Sequence, residues 1–266
     1  MPSAALDDVS IHYEVHGDGP PLVLAHCLGG NLELWRDQIP ALAARHRLVL
    51  WDCRGHGRSS SPPARAQYGV RRSAADLAGL LDHVGIARAH IGGLSMGGGI
   101  SACFAVLYPE RVDRLLIMDS NTAAGLPTAP AVRAEREAWA ALCDSGDREA
   151  AIDRFLAANP AYRLFAADSD VMRARVRAMI RAADPPGFAH TIRALLDSDM
   201  PLDEIPTIRA PTLVLAGEHD PALAAVRVTH ERIAGSRLVL LPGAGHLSNL
   251  DAPRAFEAEL LTFLAD

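Results

Sequence analysis

Residues 92–99 read Gly-Gly-Leu-Ser-Met-Gly-Gly-Gly, five glycines in eight positions around Ser95 and Met96. Such a stretch can cradle a phosphate, form a plain strand-to-helix turn, or lift a serine hydroxyl out of a strained turn. The flanks narrow the choice. Ala89–Gly93 reads as a buried strand, and Ile100–Tyr108 reads as a helix. Gly93-Leu94-Ser95-Met96-Gly97 then fits G-x-S-x-G, the nucleophile elbow. There the strand and helix meet so tightly that the positions two before and two after the serine must be small. The phosphate reading is weaker. No G-x-G-x-x-G lies here, and the chain has no lysine, so its 26 basic residues are all arginine. That composition also excludes Schiff-base chemistry on a lysine amine. A Gly-rich βα turn with no catalytic role stays open on this stretch alone.

Working outward, short apolar runs alternate with helical patterns, as in βαβ units of a mainly parallel sheet. Residues 9–15 read as an early antiparallel strand. Residues 21–26, 47–52, 89–93, 114–119, 211–217 and 237–243 read as later strands, and runs such as Leu-Val-Leu suit burial on both faces. Residues 73–84 carry a helical stripe of Leu77, Leu80, Leu81 and Val84, with Ser73 as the expected cap and Asp76 as its capping-box partner. Residues 254–264 read as a C-terminal helix. The interval 121–207 lacks strands and reads as helices near 130–143, 147–158, 168–182 and 187–197. The expected architecture is therefore α/β, a mostly parallel doubly wound sheet, with a helical lid inserted between two late strands. Residues 1–120 and 208–266 form its core, and 121–207 form the helical cap.

A serine hydroxyl needs a base, and the base needs an orienting acid. Elbow enzymes place them in the order Ser, Asp or Glu, His. Asp220 falls just past the strand 211–217, and His246 falls in a Gly-rich loop just past the strand 237–243. Carboxyl ends of strands are where α/β sheets gather their sites. Asp119, ending the strand 114–119, is the rival acid; His219 is the rival base. Element order prefers Asp220 and His246. The oxyanion formed during acyl transfer needs N–H donors. The amide of Met96 is one, and the amide of Leu28, after the strand 21–26, is the other. His26 is read as bracing that loop. Trp35 and Trp139 are candidate substrate contacts, with core packing as the competing role.

The segments His26–Gly30, Gly93–Gly97, Gly217–Asp220 and Gly243–His246, with Asp52–Ser59 reading D-x-R-G-x-G-x-S, resemble the α/β-hydrolase superfamily over nearly the whole chain. Within it, HxLGxxxxxW from His26 to Trp35, GLSMGG, and HLSN from His246 to Asn249 are similar to 3-oxoadipate enol-lactonases. So are PPGF and the stretch IRAPTLVLAG that follows it. The resemblance implies cofactor-free hydrolysis of a small carboxylate-bearing enol-lactone in aromatic catabolism, with Asp52–Ser59 structural. Serine at the elbow argues against haloalkane dehalogenase and epoxide hydrolase chemistry. Cys27 and Asp251 depart from the family pattern, without removing a catalytic group. SMGGG also resembles cofactor-free perhydrolases and broad esterases, and a receptor-like member that binds without turnover is the alternative outside enzymes.

The remaining expectations are exclusions. A net charge of −6 argues against a nucleic-acid surface. The cap interval carries ten arginines and thirteen acids, so it is no cationic trap overall. No metal-ligand spacing occurs, and the four cysteines lack CxxC spacing and are read as reduced thiols. The N-terminus has no signal-peptide pattern, and no apolar run is long enough for a membrane span. The expected protein is cytoplasmic, binds a small ester or lactone without metal or cofactor, and leaves homo-oligomerisation open.

Overall fold

The computed structural model describes residues 2–121, 125, 128–158, 162–164 and 168–265. Eight strands form one sheet: β1 (Ser3–Ala5), β2 (Ser10–His16), β3 (Pro21–Ala25), β4 (Arg47–Trp51), β5 (Ala89–Leu94), β6 (Val112–Met118), β7 (Thr212–Gly217) and β8 (Arg237–Leu241). Their spatial order is β1-β2-β4-β3-β5-β6-β7-β8. β1–β2 and β2–β4 pair antiparallel, and every later neighbour pairs parallel. The apolar runs do what their composition demands: β3 to β7 are nearly all buried, whereas β8, at the sheet edge, is mostly half-exposed. The short β1 lies outside the expected strands, because three residues carry no readable alternation.

The helices are α1 (Ile39–Ala43), α2 (Val70–His83), α3 (Met96–Leu107), α4 (Pro130–Asp144), α5 (Arg148–Ala158), α6 (Asp170–Arg181), α7 (Pro185–Leu196), α8 (Leu223–Arg232), α9 (Ser248–Asp251) and α10 (Pro253–Ala265). The block α4–α7 lies between β6 and β7, where the strand pattern breaks off; α4 packs on α7 and α5, and α5 on α6. Residues 122–124, 126–127, 159–161 and 165–167 of that interval lie outside the described residues.

α2 corrects the expected cap. It starts at Val70, and Ser73 is a buried residue inside it. Its first amides donate to Asp199 from beyond α7, Val70 N–H at 2.7 Å. Asp76 is no capping partner either; it meets Arg54. The Arg54 guanidinium, 2 % exposed, donates to Asp76 through Nε (2.7 Å) and Nη2 (2.5 Å), and also bonds Asp8 and the Gln67 carbonyl. Asp52 accepts from the amides of Leu32 and Arg58, each at 2.8 Å. The Asp52–Ser59 segment thereby ties the loops after β3 and β4 together.

β3 connects onward to β4 on one side and β5 to β6 on the other, so the strand order reverses between β3 and β5, where α/β sheets open a crevice at the carboxyl ends. The residues that directly follow β3, β5, β6, β7 and β8 stand at those carboxyl ends. Among the described residues no helix is long and apolar enough to cross a membrane.

Candidate active site

Ser95 sits between the end of β5 and the first turn of α3 with φ 58° and ψ −113°, a backbone that non-glycine residues rarely adopt. The surroundings enforce it. A Cβ on Gly93 would lie 2.3 Å from the Gly97 carbonyl, and one on Gly97 would lie 2.2 Å from the Ala25 oxygen. Only glycine permits strand and helix to approach this closely. The Ser95 amide donates to the Met118 carbonyl at 2.8 Å, and Ser120 Oγ donates to the Ser95 carbonyl at 2.7 Å. The turn is thus held from β6 while the side chain stays available.

The structure brings Ser95, His246 and Asp220 together. His246 Nε2 lies 2.8 Å from Ser95 Oγ, and His246 Nδ1 lies 2.9 Å from Asp220 Oδ1. With Nδ1–H donating to Asp220, Nε2 is left as the acceptor facing the serine. Asp220 Oδ1 also accepts the Ala222 amide at 2.7 Å, while its Oδ2 is buried without a partner. The loop bearing His246 is fixed by Asp251, one of the two departures, whose Oδ2 accepts the Gly245 amide at 2.9 Å. Asn249 reaches the Leu34 carbonyl at 2.9 Å and Gln38 at 3.1 Å. Asp119, the rival acid, makes no bond to His246; it accepts the Gly217 amide at 2.9 Å and the Ser248 hydroxyl.

The loop after β3 hangs on two histidines. His26 Nδ1–H donates to the Cys27 carbonyl at 2.7 Å, and His26 Nε2 accepts the Cys53 amide at 2.9 Å. His56 Nε2 accepts the Gly29 amide at 3.1 Å, and its Nδ1–H donates to the Arg54 carbonyl at 3.1 Å. Each ring must be neutral to accept, and burial enforces this. It lowers the His26 pKa to about 4, and with His26 nearby it lowers that of His56 to about 3. The amides of Leu28 and Met96 donate to no group among the described residues. Tyr162 Oη donates to the Leu28 carbonyl, one peptide beyond the Leu28 amide, while the His26 bond to the Cys27 carbonyl holds the peptide that carries that amide. Burial pushes the Cys27 thiol up to about 11, so the other departure is an inert packing group.

The two tryptophans are packing residues in this structure. Trp35 is 0 % exposed and lies against Phe256, so no face is open to a ligand, a correction to its candidate role. Trp139 lies against Phe155, and its Nε1–H donates to Glu135 at 2.7 Å. Phe155 in turn contacts Tyr162 and Phe188, and Phe188 contacts His56. An aromatic chain thus runs from α4 to His56, in the loop after β4.

Arg136 carries no motif that sequence reasoning could single out. It stands three and four residues before the buried Trp139 and Ala140, on the inner face of α4, and is half-buried. Burial pushes its pKa down, opposed by the Tyr162 hydroxyl nearby. It makes no hydrogen bond or ion pair among the described residues, although many arginines of the helical block do. Sequence marks it only as an arginine on the apolar face of an amphipathic helix.

A profile of the alpha/beta hydrolase fold family matches residues 20–253. The 3-oxoadipate enol-lactonase 2 of Acinetobacter baylyi is 30% identical over 253 residues, covering 94% of this chain and 91% of that one. A Caulobacter protein provisionally named carbamate hydrolase RutD is 32% identical over 277 residues, covering 100% of this chain and 98% of its own. The crystal structure of the enol-lactonase from Burkholderia xenovorans LB400 is similar over 100% of both chains, with a TM-score of 0.88 and 32% identity.

Proposed function

The chain belongs to the α/β-hydrolase fold family, and on that footing we propose that it is a serine hydrolase cleaving a small carboxylate-bearing ester or lactone, with an enol-lactone as the leading substrate. The observation that carries this is the relay Ser95 Oγ, His246 Nε2, His246 Nδ1, Asp220 Oδ1, at 2.8 Å and 2.9 Å, with the amides of Leu28 and Met96 donating to no group among the described residues. In the first half-reaction His246 Nε2 takes the Ser95 proton as Oγ attacks the carbonyl carbon. The amides of Leu28 and Met96 hold the resulting oxyanion, each such donor contributing on the order of 10²–10³ in rate. Asp220 orients the ring and offsets the charge of the imidazolium. Collapse of the tetrahedral species expels the leaving oxygen, which receives the proton from His246. For a lactone that oxygen remains tethered to the acyl chain. Water then attacks the acyl-enzyme with His246 again as base, and Ser95 recovers its proton.

Arg136 supports a substrate with a carboxylate. A guanidinium on the inner face of the helical block, without a protein partner among the described residues, offers two parallel N–H donors to an anion. Tyr162, whose charge acts on Arg136, donates to the Leu28 carbonyl, which supports a cation near the loop after β3. In this reading α4–α7 act as a cap over Ser95. The similarity to a carbamate hydrolase makes a carbamate the second substrate class, since the same attack and collapse serve it. The deciding experiment compares purified protein on an enol-lactone, a neutral aryl ester and a carbamate. Higher kcat/KM on the enol-lactone is expected. Equal or faster turnover of the neutral ester refutes the lactonase reading, and no acylation of Ser95 by any of them favours a binding protein.

A further inference from the structure

Two acids stand at adjacent strand ends: Asp119 directly after β6, and Asp220 three residues after β7. The proposed relay uses one of them. Asp119 is 0 % exposed, takes no part in any ion pair among the described residues, and is held at φ 48°, in the left-handed region. Positive φ in a buried residue persists only where neighbours over-determine it. Here they are the Gly217 amide, which donates to Oδ1 at 2.9 Å, and the Ser248 hydroxyl, which donates to Oδ2. Gly217 links the two acids, its N–H donating to Asp119 Oδ1 at 2.9 Å and its carbonyl accepting the Asp220 amide at 3.1 Å, and the Asp220 charge acts on the Asp119 carboxyl.

Asp220 presents the complementary defect. Its Oδ1 is used twice, by His246 and by the Ala222 amide, but its Oδ2 is buried with no donor. A buried carboxylate oxygen without a donor is costly, and two ionised carboxylates close together in a dry site repel strongly. One proton between the two acids removes both costs. Burial, then the Asp220 charge, push the Asp119 carboxyl well above the usual carboxylate range. The other titratable groups facing the pair do not offset it. The Cys27 thiol is neutral, and His246 engages only the far oxygen of Asp220.

We propose that Asp119 is a positioning residue, a neutral carboxylic acid whose O–H donates to Oδ2 of Asp220 and leaves the pair with a single negative charge. The proton locks the Asp220 side chain with Oδ1 toward His246. It also limits the charge that His246 feels to that of one carboxylate. The proposal rests on the triad reading for its effect on rate, but the protonation state is measurable without turnover.

Two measurements test it together. In protein carrying ¹³C-labelled aspartate, the Asp119 carboxyl, assigned by its loss in D119N, keeps the shift of a neutral acid from pH 5 to pH 8. In the pH profile of kcat/KM, D119N supplies a neutral amide that can donate to the same oxygen. Its acid limb therefore stays with the wild type, and it recovers most of the about 10- to 100-fold loss expected in D119A. A carboxyl shift titrating near pH 4, or an acid limb in D119N displaced downward by about one pH unit, shows an ionised Asp119 and overturns the proposal. Should D119A fail to fold, the labelled wild type and D119N still decide. If Ser95 proves dispensable, the triad reading fails, while the carboxyl shift still reports whether Asp119 is neutral.

Discussion

Acidification will destabilise this protein through the two histidines that hold the loop after β3. In the folded state His26 stays neutral down to about pH 4 and His56 to about pH 3, because each is buried and each accepts a backbone amide. In the unfolded chain both protonate near pH 6.5. Between those limits unfolding takes up a proton at each ring. Their contribution is thus fully present above about pH 6.5 and falls as pH drops toward the folded values. At about pH 4.5 each unfolded ring is two units below its pKa, which at about 1.36 kcal/mol per unit costs about 2.7 kcal/mol per ring and about 5 kcal/mol for the pair. That is a large share of a typical total of about 5–15 kcal/mol. Carboxylates also protonate in this range, so the assay is a comparison. Urea unfolding of wild type and H56Q, from pH 7 to pH 4.5, cancels their share. The glutamine can accept the Gly29 amide but cannot titrate. Below pH 6 the stability of the wild type will fall more steeply than that of H56Q, by about one proton's worth, about 1.4 kcal/mol per pH unit. Parallel slopes refute the neutral, buried assignment of His56.

Three further outcomes follow from contacts already described. G97A drives a Cβ to 2.2 Å from the Ala25 oxygen; it will lower stability by about 3 kcal/mol in urea unfolding and abolish turnover, as backbone cannot yield there. R136L will raise KM for a carboxylate-bearing substrate about 10- to 100-fold while leaving KM for a neutral aryl ester nearly unchanged; equal losses on both would assign Arg136 to packing. D76A strips the bidentate partner from the buried Arg54 and will cost about 3 kcal/mol in denaturant titration, with activity per folded molecule retained.

The elements legible in the sequence are those whose signals are local. The elbow is five consecutive residues. Asp220 and His246 each follow an apolar strand by a few residues, so chain order alone selects them, and the structure gives His246 to Asp220 rather than Asp119. The helices of 121–207 show because their apolar stripes and breakers lie within single segments. What stays hidden depends on partners distant in sequence. Asp199 caps α2 across 129 residues, so Ser73 looks like the local candidate. Asp76 turns inward because Arg54 needs a counter-charge, which a capping-box pattern cannot reveal. Trp35 follows the loop of the site but is drawn into the core against Phe256, a residue of α10. Arg136 differs from its neighbours only in lacking a partner among the described residues, and an absence of partners is visible only in three dimensions.

The central claim, that Ser95 is the nucleophile activated by His246 and Asp220, is tested most directly by intact-protein mass spectrometry after brief mixing with an activated aryl ester. Wild-type protein will show one acyl group per chain, mapped to Ser95, with a matching burst of released phenol, and S95A will show neither. An adduct at another residue, or turnover retained by S95A, contradicts the account.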